Sequence, residues 1–219
     1  VDIVVARENT EGLYVGQEFE IQPGSVVSLR TMTQKGCSRI ARAAFMYAQN
    51  HQRRKVTLGH KANILKMGDG LLLACADQVS RDFPHIPYDQ IIVDALCMRL
   101  VMEPRDFDVI VLENMFGDML SDLCAGLVGG LGVAAGANIG DDCAVFEAVH
   151  GSAPDIAGRD IANPTALIQS AIMMLQHLKE DGAAGRIERA LYGVLAEQSL
   201  KTKDLGGACG GRQFTKHLI

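Results

Sequence analysis

Residues 109–122 read VIVLENMFGDMLSD. Their first four residues are all apolar, as in a strand covered on both faces, and residues 115–127 have the apolar spacing of a helix. The same order recurs upstream, where strands predicted at 56–59 and 91–93 precede helices predicted at 70–80 and 95–103. Short apolar strands that alternate with helices predict an α/β fold with a parallel-rich sheet and helices on both faces.

The segments before residue 56 extend this pattern. An apolar run at 2–6 predicts a strand. Residues 13–21 and 25–31 predict a β-hairpin around the turn Pro23-Gly24. Residues 36–50 have helical spacing and predict a further helix.

The segments after residue 128 are less regular. Residues 129–163 are rich in Gly and Ala and contain few clear elements. Asn163 followed by Pro164 is a typical helix start, with Asn at the N-cap and Pro at the first helical position. This helix is predicted to run to about residue 179, and a second is predicted at 184–199. A Gly-rich loop and a short terminal helix are expected after that.

Composition limits the class of protein. The chain has 219 residues, 48% of them hydrophobic, no Trp, and a net charge of −5. No Lys/Arg block is present, so nucleic acid is not expected as a partner. The six cysteines include no CxxC pair, which is typical of buried thiols in a reducing compartment. No segment predicts a signal peptide or a membrane span. Because Val1 opens an apolar strand without an initiator Met, we expect the chain to be a fragment.

Asp118 and Asp122 are the first candidates for chemistry. On a helix, residues four apart share one face. Two carboxylates without nearby Cys or His suit Mg²⁺ or Mn²⁺. Spacing alone favours a solvated face or capping acids, by roughly two to one. Two features favour function: the pair follows the end of a buried strand, where α/β sheets bind ligands, and the rest of the helix is apolar.

Further candidates follow other predicted strands. Lys61, in the run His60-Lys61-Ala62-Asn63, could act as a base if desolvation lowers its pKa, but alone it is more often a surface lysine. Asp94 is equally consistent with an N-cap. Arg7 could hold a carboxylate with two parallel hydrogen bonds. The phenol of Tyr14 could donate a proton, although a tyrosine in a hairpin usually has a packing role.

Two glycine-containing segments could bind a nucleotide. The loop from His150 to Gly158 precedes the helix at Asn163, and Asp155 in it could accept hydrogen bonds from ribose hydroxyls; an ordinary long loop is the alternative. Residues 130–135 match GxGxxA, but that fingerprint requires a strand before it and a helix after it. Because a helix is predicted before it, we do not expect a classical Rossmann site.

Five segments in this order resemble the isocitrate/isopropylmalate dehydrogenase family. They are Arg7–Tyr14 (RENTEGLY), His60–Asn63 (HKAN), Asp94-Ala95, Asn114–Asp122 (NMFGDMLSD) and His150–Pro164. The resemblance covers the whole chain and implies that family's fold. It also implies a small domain at 1–128, with the hairpin at about 12–31 as a clasp, and the C-terminal part of a large domain at 129–219.

The resemblance implies a role for each matching residue. Catalytic roles fall to Tyr14 as proton donor and Lys61 near the substrate hydroxyl, and substrate-binding roles to Arg7 and Asn63. Asp94, Asp118 and Asp122 would bind Mg²⁺ or Mn²⁺. Lys61 and Asp94 would serve the other subunit, so a homodimer or higher oligomer with shared sites is expected. The residues implied in cofactor binding are His150, Gly151, Ser152, Ala153, Pro154, Asp155, Ile156 and Asn163.

The resemblance indicates the cofactor more clearly than the substrate. NADP-preferring bacterial members carry Lys-Tyr where this chain has Asp155-Ile156, and a carboxylate would repel a 2′-phosphate, so NAD is expected. Residues 126–148 resemble isocitrate enzymes most, although homoisocitrate, 3-isopropylmalate and tartrate enzymes remain open, as does a regulatory subunit. The family's N-terminal substrate-binding segment has no counterpart here. The implied compartment is a bacterial cytoplasm or a mitochondrial matrix.

Overall fold

A computed structural model describes residues 1–219. The strands are β1 (Val4–Arg7), β2 (Gly12–Gln22), β3 (Ser25–Thr31), β4 (Val56–His60), β5 (Tyr88–Ile92), β6 (Val109–Leu112), β7 (Ala135–Ile139) and β8 (Ala144–Ala148). The helices are α1 (Gln34–Asn50), α2 (Gly68–Ser80), α3 (Val93–Met102), α4 (Asn114–Val128), α5 (Thr165–His177), α6 (Asp181–Ala196) and α7 (Gly211–Leu218). The chain forms two compact units, Val1–Cys124 and Ala125–Ile219.

The first unit is built on a four-stranded parallel sheet. Its strand order is β1-β6-β4-β5, so the last strand in sequence lies between the first and β4. The register pairs Arg7 with Leu112 and His60 with Ile92. Because all strands run in one direction, their carboxyl ends meet at one edge, and the residues that follow them gather there.

Successive residues of β6 point to opposite sides of this sheet and bury two separate cores. Val109 and Val111 pack with α1 and α2, whereas Ile110 and Leu112 pack with α3 and α4. Each such fully buried aliphatic side chain contributes about 1.5–3 kcal/mol relative to exposure. This two-sided burial explains the apolar run at 109–112 and confirms the predicted fold class.

A two-stranded antiparallel sheet, β2 with β3, extends from the first unit. Its turn contains Gly24 at φ +78, a backbone conformation that a glycine adopts without strain. Most of this hairpin is exposed, including Phe19 and Ile21. The predicted hairpin is therefore present, one residue longer at each end of β2.

The second unit packs α5, α6 and α7 around a small core that includes Ile172, Leu191 and Phe214. Its strands β7 and β8 form an antiparallel pair that the sequence did not indicate. The sequence of β7, AGANI, contains Gly and Asn, which are depleted in strands, so pairing with β8 outweighs local propensity here. The GxGxxA segment at 130–135 follows helix α4 and leads into strand β7, the reverse of the strand and helix that a Rossmann fingerprint requires.

The helices α1 to α6 begin within one to three residues of their predicted starts. Helix α2 begins at Gly68, two residues early, and α5 begins at Thr165, after Pro164 rather than at it. The Asn163 side chain still accepts a hydrogen bond from the Thr165 amide at 3.0 Å. No helix has both the length and the apolar character needed to cross a membrane.

Candidate active site

The strand order separates the candidate residues of the first unit into two clusters. Residues after β1 and β6 form one cluster, and residues after β4 and β5 form the other. Both lie at the carboxyl edge of the sheet, where ligands bind in open α/β proteins. We refer to them as the arginine cluster, which contains Arg7, Tyr14, Asn114 and Asp118, and the lysine cluster, which contains Lys61 and Asp94.

The arginine cluster is organised by the guanidinium of Arg7. Its Nε and Nη2 donate to Asn114 Oδ1 at 3.1 and 2.8 Å, and its Nη1 forms an ion pair with Asp118. Asn114 in turn donates to the Glu11 carbonyl at 2.9 Å. The Arg7 side chain remains 25% exposed. The guanidinium is thus held in place by Asn114 and can still receive a carboxylate from solvent.

A glycine allows Arg7 to lie against the first turn of α4. A Cβ added to Gly117 would lie 2.5 Å from Arg7 Cγ and 2.8 Å from Arg7 Cβ. Any larger residue would therefore displace the stem of the arginine. This close approach brings the guanidinium to Asp118, which is the next residue along the helix.

Tyr14 reaches the same carboxylate from the hairpin. Its hydroxyl donates to Asp118 Oδ2 at 2.5 Å, and the Arg7 guanidinium lies 5.2 Å from its ring centroid. The hydrogen bond to Asp118 raises the pKa of Tyr14, and the same bond lowers the pKa of Asp118. The phenol thus keeps its proton while it lies 53% exposed beside a cation, as a proton donor requires.

The lysine cluster is a single ion pair. Lys61 Nζ donates to Asp94 Oδ1 at 2.6 Å, and this bond lowers the pKa of the Asp94 carboxyl. The Asp94 side chain is 67% exposed. Asn63, which was predicted to bind substrate, lies exposed in the turn after Lys61. The pair presents an ammonium and a carboxylate outward.

The three aspartates predicted to bind metal do not converge within one chain. Asp118 and Asp122 lie one turn apart on α4, and Asp122 is exposed without a hydrogen-bond partner. Asp94 belongs to the lysine cluster, and no group of three His, Cys, Asp or Glu side chains forms a metal site. The two helix carboxylates are hard oxygen ligands that suit Mg²⁺ or Mn²⁺, so they fit part of such a site.

Sequence reasoning missed three charged residues that lie next to the clusters. Arg30 forms one ion pair with the buried carboxylate of Asp69 and another with that of Glu113. Glu113 directly follows an all-apolar strand, and Asp69 lies in the first turn of an apolar helix. A charge in such a position is a signal of burial with a partner, but it does not tell which partner.

In the second unit, the loop predicted to bind the cofactor is largely exposed. Ala153 has φ +43, in the left-handed region, and a short 3-10 turn, Pro154–Ile156, follows it. The carboxylate of Asp155 is exposed and forms no ion pair. Backbone groups and one free carboxylate are therefore available at this loop, and these groups can bind the hydroxyls of a ribose.

The end of this loop is held by a contact that the sequence did not indicate. Asn163 Nδ2 donates to Asp204 Oδ2 at 2.9 Å, while Asn163 Oδ1 accepts from Thr165. Gly132 packs against this pair, because a Cβ there would lie 2.7 Å from Asp204 Oδ2. Both ends of the Asn163 amide are thus engaged, and the side chain has one fixed orientation.

Known proteins resemble the chain over its whole length. A family model described as isocitrate/isopropylmalate dehydrogenase matches residues 1–218. A mitochondrial NAD isocitrate dehydrogenase catalytic subunit of Arabidopsis thaliana is 51% identical, and the match covers 100% of this chain and 59% of the relative. A mitochondrial protein of Dictyostelium discoideum, named as a regulatory subunit of NAD isocitrate dehydrogenase, is 49% identical, with 100% and 62% covered. The crystal structure of isocitrate dehydrogenase from Methylococcus capsulatus superposes with a TM-score of 0.94 at 51% identity, covering 98% of this chain and 65% of that one.

The fold and the clusters define an α/β protein whose sheet edge presents a guanidinium, a phenol, an ammonium and several carboxylates. The chain belongs to the isocitrate/isopropylmalate dehydrogenase family. It spans 59% to 62% of the length of the two curated relatives described above.

Proposed function

We propose that the protein containing this chain is an NAD-dependent isocitrate dehydrogenase, which oxidises and decarboxylates isocitrate to 2-oxoglutarate with a divalent metal. The arginine cluster carries the proposal, because it combines a cation for a substrate carboxylate, a protonated phenol and a carboxylate on one helix face. The names of the relatives supply the substrate and NAD.

In this reaction, Arg7 binds a carboxylate of the substrate, and Asn114 keeps the guanidinium oriented. Tyr14 donates its phenolic proton to the carbon from which CO₂ leaves. Asp118 holds the phenol in its protonated form until that step, because a phenolate beside the carboxylate would be repelled. The protein contributes fixed geometry and charge, and NAD, when bound, would supply the redox chemistry.

Asp118 and Asp122 would hold Mg²⁺ or Mn²⁺, which when bound makes the substrate hydroxyl easier to deprotonate and stabilises negative charge. Asp94 would complete the ligand set from a second subunit, and Lys61 would take or relay the hydroxyl proton there. The separation of the two clusters within one chain supports a homodimer, or a higher oligomer, with shared sites.

NAD would bind at the loop from His150 to Ile156 and at Asn163. Asp155 supports NAD over NADP, because its free carboxylate can accept from both ribose hydroxyls and would repel a 2′-phosphate. Asp204 would act indirectly, by fixing the orientation of Asn163.

The test is reduction of NAD by the purified full-length protein with Mn²⁺ and one 2-hydroxy acid at a time. We expect isocitrate to give the highest kcat/KM, ahead of homoisocitrate, 3-isopropylmalate and tartrate. A clear preference for one of the other acids would replace isocitrate dehydrogenase by the corresponding sister enzyme. A kcat/KM with NADP equal to that with NAD would contradict the proposal that Asp155 selects NAD.

The metal assignment predicts the behaviour of Asp118→Asn. We expect the Mn²⁺ concentration for half-maximal rate to rise by about tenfold or more, since a ligand and its charge are lost. Asp82→Asn is the matched control, because Asp82 forms a surface ion pair with Arg42 outside both clusters. An unchanged Mn²⁺ requirement in Asp118→Asn would contradict the metal site.

One relative is named as having a regulatory role, so a binding function is the second candidate. The presence of Arg7, Tyr14, Lys61 and Asp118 favours catalysis. A regulatory protein of this kind would be inactive alone and would change the rate of an added catalytic partner.

The proposed organisation is a small domain at 1–128 with the hairpin as clasp, and part of a large domain at 129–219. A mitochondrial matrix is supported by the names of relatives, and a bacterial cytoplasm is the alternative.

A further inference from the structure

A buried group of three charged side chains lies between the arginine and lysine clusters. We call it the Arg30 triad; it contains Arg30, Asp69 and Glu113. Their side chains are 13%, 0% and 3% exposed. Asp69 belongs to the segment after β4, and Glu113 directly follows β6, and these two strands are neighbours at the centre of the sheet.

Arg30 joins the two carboxylates through separate nitrogen atoms. Its Nη1 donates to Asp69 Oδ1 at 2.5 Å, its Nη2 lies 3.1 Å from Glu113 Oε2, and its Nε donates to that same oxygen at 3.3 Å. The ring of Phe116 lies 5.6 Å from the guanidinium carbon. This geometry needs the several donors of a planar guanidinium, so a lysine, with one compact ammonium group, could not reproduce it.

Each carboxylate holds a second segment with its other oxygen. Asp69 Oδ2 accepts the backbone N–H of Lys61 at 2.5 Å. Glu113 Oε1 accepts the backbone N–H of Phe116 at 2.8 Å, which caps the helix that carries Asp118. The triad therefore connects the backbone of the lysine cluster to the first turn of α4.

We propose that Arg30 is a positioning residue, which holds the Lys61 backbone and the start of α4 in a fixed relative placement. Its role in the reaction rests on the function proposed above. Without the guanidinium, two buried carboxylates would lose the cation between them, and their repulsion would drive them apart. This movement weakens the hydrogen bonds to the Lys61 and Phe116 amides, whose segments carry candidate catalytic and metal-binding residues.

Amide hydrogen exchange in the full-length protein tests the connection without reference to activity. In Arg30→Met, exchange at both the Lys61 and the Phe116 amides should become faster by about tenfold or more. Asp69→Ala should affect Lys61 alone, and Glu113→Ala should affect Phe116 alone. Arg42→Met, which removes an exposed guanidinium from α1, is the control and should change neither amide.

Kinetics test the consequence. Arg30→Met should lower kcat and raise the half-maximal Mn²⁺ concentration, each by about tenfold, whereas a loss of stability alone would lower only the amount of active protein. Arg30→Lys should fall between the natural protein and Arg30→Met. If Arg30→Met does not fold, Arg30→Lys must still speed exchange at both amides.

The outcomes separate the two proposals. Unchanged exchange at Lys61 and Phe116 in a folded Arg30 variant overturns the positioning role, whatever the activity. If the natural protein oxidises no 2-hydroxy acid, the proposed function is overturned. Amide exchange at Lys61 and Phe116 then still decides whether Arg30 holds these two segments in place. Faster exchange with unchanged kcat and Mn²⁺ requirement leaves Arg30 without a role in the reaction and also overturns the proposal.

Discussion

At the scale of single residues, one hydrogen bond in the arginine cluster, from Tyr14 to Asp118, shifts the pKa values of both residues. Asp118 accepts from Tyr14 and pairs with Arg7, so the carboxylate stays ionised and the phenol stays protonated. The candidate proton donor, Tyr14, is thus hydrogen-bonded to a candidate metal ligand, Asp118. Metal bound at Asp118 would compete with Arg7 and Tyr14 for the same oxygen atoms, which gives the cluster more than one arrangement.

The shifted pKa of Tyr14 can be measured directly. Removal of the negative charge in Asp118→Asn should lower the pKa of Tyr14 toward its ordinary value, because the phenolate no longer faces a carboxylate. Ultraviolet absorbance of tyrosinate reports the titration. The chain has four tyrosines, so the signal of Tyr14 is obtained by subtracting the same titration of the matching Tyr14→Phe variant. An equal or higher pKa in Asp118→Asn would show that Asp118 does not cause the shift.

At the scale of elements, the candidate site depends on two glycines, at each of which two segments of the chain lie in close contact. Strand β1 meets helix α4 at Gly117, and the segment after α4 meets Asn163 and Asp204 at Gly132. Each glycine allows a functional side chain to lie against backbone. Close approach of the elements and side-chain hydrogen bonds together set the positions of Arg7 and Asn163.

Gly117→Ala should displace Arg7. The added methyl group would overlap the Arg7 stem, and overpacking of this kind costs about 1–3 kcal/mol. We expect the KM for isocitrate to rise by about tenfold, since the guanidinium leaves its Asn114 contact. Gly126→Ala on the same helix is the control, because its Cβ would meet no atom within 4 Å. Equal KM values in the two variants would contradict the role of this contact.

Gly132→Ala should separate Asp204 from Asn163, because the Cβ would lie 2.7 Å from Asp204 Oδ2. The expected result is a KM for NAD raised by about threefold to tenfold, with kcat at saturating NAD nearly unchanged, since only ground-state binding is lost. Initial rates at varied NAD measure both quantities. Gly193→Ala, at an open position of α6, should leave the KM for NAD as it was.

At the scale of the whole molecule, the strand order decides which candidate residues can act together. Arg7 and Asp118 follow strands β1 and β6, whereas Lys61 and Asp94 follow β4 and β5. The proposed complete site, with all four residues, would therefore draw groups from more than one chain. Subunit mixing tests this arrangement.

Mixed dimers of Tyr14→Phe and Lys61→Met subunits should regain activity. If Tyr14 of one subunit works with Lys61 of the other, one of the two sites in each mixed dimer has both natural residues, and that dimer should reach about half the natural rate. Each variant is first assayed alone as an inactive control. If each site lay within one chain, both sites of the mixed dimer would be defective and no activity would return.

The local sequence of this protein indicated its seven helices and the six strands of the first unit, and it marked candidate residues at the ends of those strands. The apolar run at 109–112, the Pro23-Gly24 turn and the helical spacing of α1 and α4 act over a few residues, so they can be inferred from neighbours in the chain. The hairpin of β7 and β8 could not be inferred, because cross-strand pairing outweighs the low strand propensity of Gly and Asn.

Only the tertiary structure decided which side chains meet. Tyr14 and Asp118 are 104 residues apart, Arg30 and Glu113 are 83 apart, and Asn163 and Asp204 are 41 apart. These contacts depend on the insertion of β6 between β1 and β4, and on the packing of loops in the second unit. Such placements arise from the burial of apolar faces shared by distant segments, so no short pattern in the sequence specifies them.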